Sequence, residues 1–182
     1  KTSFALNIAT NVARRSGKDV TVFSLEMSKE QLAMRLISDE AFVDGKKLNT
    51  GNLSDDDWAK IAAASAALGQ TDIRIEDNPT LSVADMNARC RRLDQLGLII
   101  IDYLQLMQSS GNSGRGDNRQ QIVSDISRAL KIMAKELNVP VLCLSQAHKV
   151  PAIANTAINK NTLFFILFLF LSLFFWKYHL DS

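Results

Sequence analysis

"LGLIIIDYLQLM", Leu96–Met107, decides how this chain folds. Leu98, Ile99, Ile100 and Ile101 form an unbroken apolar run, three of them β-branched, without the polar alternation of a half-exposed strand. The run reads as a strand covered on both faces, and Asp102 ends it. Two further segments have the same form. "VTVFSLE" predicts a strand at about 20–25 that ends in Glu26, and "VPVLCLSQ" predicts one after Pro140 that ends in Gln146. Helical patterns separate them, which implies an α/β fold with a mostly parallel sheet.

Those helices carry their own start signals. "KTSFALNIAT" opens the chain with Phe4, Ile8 and Val12 at intervals of four, the stripe of an amphipathic helix over about 3–15, and Gly17 then marks a turn. "SKEQ" is a capping box with Ser28 at the N-cap and Gln31 three residues on. "SDDD" at Ser54 is a second start, its acids suited to the positive end of a helix dipole. A short strand, "DIRIED", ends at Asn78-Pro79, and Ser82 with Asp85 begins a helix to about 95. A long helix is expected over about 119–137, with Ile122, Ile126, Leu130, Met133 and Leu137 on one face.

The bulk composition agrees with one globular domain. The 182 residues are 47% hydrophobic and 22% charged, which excludes a disordered chain. A net charge of +2 does not by itself argue for nucleic acid. Cys90 and Cys143 lie far apart without CxxC spacing, and Cys143 reads as a buried, reduced thiol. No signal-peptide pattern opens the sequence, so a cytoplasmic protein is expected. The missing initial Met leads us to expect a fragment.

The chain changes character at about residue 150. Residues 1–149 form the α/β part, and 150–182 an atypical tail with six of the nine phenylalanines in Phe164–Phe175. The apolar run at 163–176 spans about 21 Å as a helix at about 1.5 Å per residue, short of the ~20 residues that cross a bilayer. A non-native terminus is the first reading, a membrane contact through 163–176 the second, and a buried core element the third.

Glu26, Asp102 and Gln146 stand at the ends of three parallel strands, and such ends share one edge where ligands bind. Lys1 and Thr2 at a helix mouth fit the last two residues of the phosphate-binding loop G-x-x-x-x-G-K-[ST]. In that loop lysine neutralises the β- and γ-phosphates, and the threonine hydroxyl holds Mg2+ at a helix N-terminus. Asp102 fits the strand-end carboxylate that orients the metal. Glu26 fits a general base polarising the attacking water, and Gln146 fits a hydrogen-bond sensor of the γ-phosphate. The Gly/Ser-rich stretch at 109–118, with Arg115 inside it and Arg119 after it, is either a solvated connection or a tracker of nucleic-acid phosphates. Arg91 and Arg92 read as a solvated helix face.

These segments together resemble a known family. "KTSFALNIA", "FSLEMSKEQLAMRL", "LIIIDYLQLM" and "NRQQIVSDISRALKIMAKELNVPVLCLSQ" are similar, in order and over about residues 1–146, to the ATPase domain of bacterial replicative DNA helicases of the DnaB type. The resemblance implies a RecA-like P-loop NTPase fold, ATP and Mg2+ as cofactors, translocation on single-stranded DNA, and a homo-hexamer with ATP at subunit interfaces. It also implies primase and a helicase loader as partners. Lys1 and Thr2 match the phosphate-loop pair, Glu26 the catalytic glutamate, Asp102 the magnesium aspartate and Gln146 the phosphate-sensing glutamine. Arg115 and Arg119 match a loop facing the central channel. The loop's glycines, an arginine finger and the primase-binding domain have no counterpart in these residues, so the 182 residues alone are expected to be inactive. A repair or regulatory ATPase of RecA type, or a non-catalytic membrane-associated protein on a degenerate ATPase core, are the alternative readings.

Overall fold

The computed structural model describes residues 1–102 and 119–144, the side chains of 119–123 excepted. In chain order these residues form α1 (Thr2–Ser16), β1 (Asp19–Ser24), α2 (Lys29–Ala41), α3 (Gly45–Thr50), α4 (Asp55–Leu68), β2 (Ile73–Glu76), α5 (Val83–Cys90), β3 (Leu96–Asp102), α6 (Arg119–Leu137) and β4 (Val141–Cys143). The predicted tail, and with it the membrane contact expected at 163–176, lies outside the described residues. Among the described residues no helix is long and apolar enough to cross a membrane.

The strands form one sheet in the order β2-β1-β3-β4, and every pairing is parallel. Side chains alternate between its faces. Val20 and Val22 of β1 and Leu98 and Ile100 of β3 pack with Leu6 and Ala9 of α1 and Leu32 and Leu36 of α2. Phe23, Ile99 and Ile101 point the other way, against Met86 and Cys90 of α5 and Ile126, Leu130 and Met133 of α6. The sheet is therefore a shared wall between two apolar layers, as the uninterrupted runs predict. Each large aliphatic side chain so enclosed contributes roughly 1.5–3 kcal/mol relative to exposure.

Local chemistry sets the element ends. Capping boxes close α2, α4 and α5 through Ser28–Gln31, Ser54–Asp57 and Ser82–Asp85. Gly17, at φ 61°, ends α1 in the left-handed conformation and donates its N–H to the Ala13 carbonyl. Gly97 has a different task. Asp19 pairs with Leu96 but Val20 with Leu98, so Gly97 is the extra residue of a bulge. A Cβ there would come within 2.7 Å of the Lys18 Cβ.

Two expectations need correction. α5 ends at Cys90, not near 95: Arg92 and Leu93 donate their N–H groups to the Arg89 and Cys90 carbonyls, tightening the chain into turns before β3. Arg91 and Arg92 thus sit on a turn, where Arg91 pairs with Glu136 at 2.8 Å. Cys143 is half-buried rather than buried, though like Cys90 it is a free thiol. The short helix α3 has no apolar stripe, and only its caps mark it: Asp44 accepts the Lys46 N–H at the start, and Gly51 turns left-handed at the end.

The connections carry the functional consequence. After β1 the chain crosses to the α1 side as α2, whereas the next described element after β3, α6, lies on the opposite side. Adjacent strands whose chains depart to opposite faces leave a crevice between their carboxyl ends, the topological switch point of an open α/β sheet.

Candidate functional site

That crevice lies between Ser24 of β1 and Asp102 of β3, which face each other in register. α1 starts beside it. Thr2 and Asp102 stand 100 residues apart in sequence, yet the Thr2 hydroxyl donates to Asp102 Oδ2 at 2.9 Å. Both are buried, Asp102 to 2% exposure. Asp102 Oδ1 is also buried and has no hydrogen-bond partner among the described residues. A buried carboxylate oxygen without a donor is costly, so its retention needs an account.

Burial pushes the Asp102 carboxyl above the usual carboxylate range. The Thr2 hydroxyl opposes that rise, and the positive charge of Arg35 on α2 opposes it further. Lys1 is the N-cap of α1 but supplies no side-chain cap, so the first N–H groups of a 15-residue helix open toward this rim. The arrangement presents an anionic, oxygen-donor pair beside the positive end of a helix.

Glu26 sits on the turn between β1 and α2, and its side chain is exposed. The turn itself is pinned. Leu25 donates its N–H to the Asp102 carbonyl at 2.8 Å, extending the β1–β3 ladder one step past the strand. Ser24, only 1% exposed, donates its hydroxyl to the Met27 carbonyl at 2.7 Å and accepts the Met27 N–H at 3.2 Å. From the loop after β2, the Asp77 carboxylate accepts the Lys29 N–H at 3.0 Å. A carboxylate on a tied turn thus stands at the mouth of the crevice that holds Thr2 and Asp102.

The structure therefore brings Thr2 and Asp102 into direct contact, with Lys1 adjoining and Glu26 on the same rim. Gln146 and Arg115 lie outside the described residues. The β4 side of the rim is defined as far as Leu144, whose N–H donates to the Ile101 carbonyl at 2.8 Å. Arg119 opens α6, and only its backbone is described. Sequence reasoning missed Ser24 and Arg35. Arg35 lies three residues after the buried Leu32, at the border of the apolar stripe, which is the one signal that could have singled it out. Ser24 had none, because a serine near a strand end is too common to notice.

Comparison with known proteins agrees with the geometry. Residues 1–154 match the sequence model of the DnaB-like helicase C terminal domain. The chain belongs to that family. DnaB-type relatives include the replicative DNA helicase DnaB of Geobacillus stearothermophilus, 52% identical over 149 residues, or 80% of this chain and 32% of that protein. The chain thus spans about a third of the length of that relative. Among solved structures, one described as an ATPase domain superposes with a TM-score of 0.75 at 32% identity, covering 82% of this chain and 54% of that one. A DnaB-like replicative helicase, described together with its interactions with primase, superposes at 0.74 with 31% identity over 81% of this chain and 36% of its own. The RecA-like DnaB ATPase fold expected from the sequence is borne out, and neither alternative reading is favoured.

Proposed function

We propose that residues 1–149 are part of the ATPase domain of a replicative DNA helicase, which couples ATP hydrolysis to movement along single-stranded DNA and to duplex unwinding. Residues 150–182 form a separate tail in this reading. The observation that carries it is the buried Thr2–Asp102 hydrogen bond with Asp102 Oδ1 left open beside it. A hydroxyl and a carboxylate held together at a helix N-terminus are the protein's share of an Mg-nucleotide site, the remaining oxygens coming from phosphate and water. Among the described residues no cluster of three or more His, Cys, Asp or Glu could hold a metal alone, which suits a metal that arrives with its nucleotide.

Bound Mg2+ supplies charge neutralisation at the β- and γ-phosphates. Lys1 adds a second positive charge there, and the open N–H groups of α1 orient the phosphate oxygens. Thr2 and Asp102 fix the cation's position through their mutual bond. Glu26 accepts a proton from the attacking water, and the Ser24 and Asp77 ties keep its turn from drifting. Gln146 senses the γ-phosphate. Arg115 and Arg119 hold DNA phosphates without reading bases. A homo-hexamer, a primase and a helicase loader are the partners proposed, in the cytoplasm.

Replacing Glu26 by Gln in the complete protein tests the central assignment. ATP binding should persist while turnover falls about 10²–10⁴-fold, the usual worth of a positioned base. Near-normal hydrolysis by Glu26→Gln would remove Glu26 from the mechanism. Asp102→Asn should instead abolish Mg-dependent nucleotide binding, and retained binding would remove Asp102 from the metal site.

A further inference from the structure

We draw no further inference here: the strongest candidate, the surface patch at the α2–α4 corner that leaves Phe42 94% and Trp58 56% exposed around the buried Ala41, Val43 and Ala64, is an unpartnered apolar face, and nothing in the structure shows what covers it.

Discussion

Replacing Ser24 by alanine isolates what holds the Glu26 turn in place. The Ser24 hydroxyl is bonded twice to one residue, donating to the Met27 carbonyl at 2.7 Å and accepting the Met27 N–H at 3.2 Å. Alanine removes both bonds and leaves two backbone groups at a half-buried turn. A typical intramolecular hydrogen bond contributes about 0.5–1.5 kcal/mol net, and water reaching Met27 recovers part of the loss. The cost should be about 2 kcal/mol. For a chain of roughly this length that lowers Tm by about 4–8 °C. Urea unfolding of the 182-residue chain measures it as a lower midpoint at unchanged slope. Thr10→Ala is the control, because the Thr10 hydroxyl donates to a helix carbonyl, that of Leu6, at 3.1 Å, where the backbone already supplies a partner. It should stay within about 0.5 kcal/mol of the parent. If Ser24→Ala unfolds like Thr10→Ala, the serine does not tie the turn, and the rigidity ascribed to the Glu26 position has no basis.

Other perturbations read other parts of the rim and its scaffold. Thr2→Val keeps the shape of the side chain but leaves both Asp102 oxygens without a donor, and should cost about 2 kcal/mol because the lost bond was to a charged group. Thr2→Ser should restore stability, and a Thr2→Val chain as stable as the parent would show that the Thr2–Asp102 bond contributes nothing. Phe42→Gly should raise stability by about 0.5–1 kcal/mol, since Phe42 is 94% exposed and held at φ 54°, where a Cβ is strained. Phe42→Ala keeps the Cβ and should gain nothing; an equal gain would assign the effect to lost apolar surface instead. Hydrogen bonds from the Ser54 backbone and the Ser82 hydroxyl hold the Asp57 and Asp85 carboxyls below the usual carboxylate range. A lowered folded value means stability present above the unfolded value and lost as pH falls through the folded one. Circular dichroism from about pH 5 down to about pH 2 should therefore show α4 and α5 loosening, and Asp57→Asn with Asp85→Asn should flatten that dependence.

The sheet was legible because the forces that build it are local. The apolar or β-branched run Val20–Phe23 and the unbroken apolar run Leu98–Ile101 demand cover on both faces, and the serine-led boxes at Ser28, Ser54 and Ser82 announce their helices. The end of α5 was not legible, because nothing between Cys90 and Gln95 breaks a helix. The chain stops there only because Leu96 must enter β3 beside Asp19, a constraint set by the sheet and not by the turn's own residues. The same limit applies to the rim. Asp102 announces itself as a carboxylate after four apolar residues, but the bond to Thr2, 100 positions away, is a tertiary fact. Ser24 matters only through what folding places beside it, and the spacing of Arg35 from Leu32 marks the border of the α2 stripe but not the carboxylate that folding sets near it.

Two carboxylates share the rim in opposite environments, and the proposed mechanism divides its labour along that contrast. Glu26 is exposed on a tied turn, free to meet water. Asp102 is sealed in, one oxygen bonded to Thr2 and the other to nothing among the described residues, with burial resisting its ionisation. Stability alone would favour an apolar side chain at the end of β3, continuing the run of Leu98–Ile101. A cation set before Asp102 reverses that balance, because it makes the ionised form favourable and supplies the open oxygen with a partner. The proposed roles therefore put the cation-holding carboxylate where it is otherwise costly, and the proposed base where solvent can reach it. Swapping the two environments would leave the proposed mechanism with a hydrated metal ligand and a buried base, neither suited to its part.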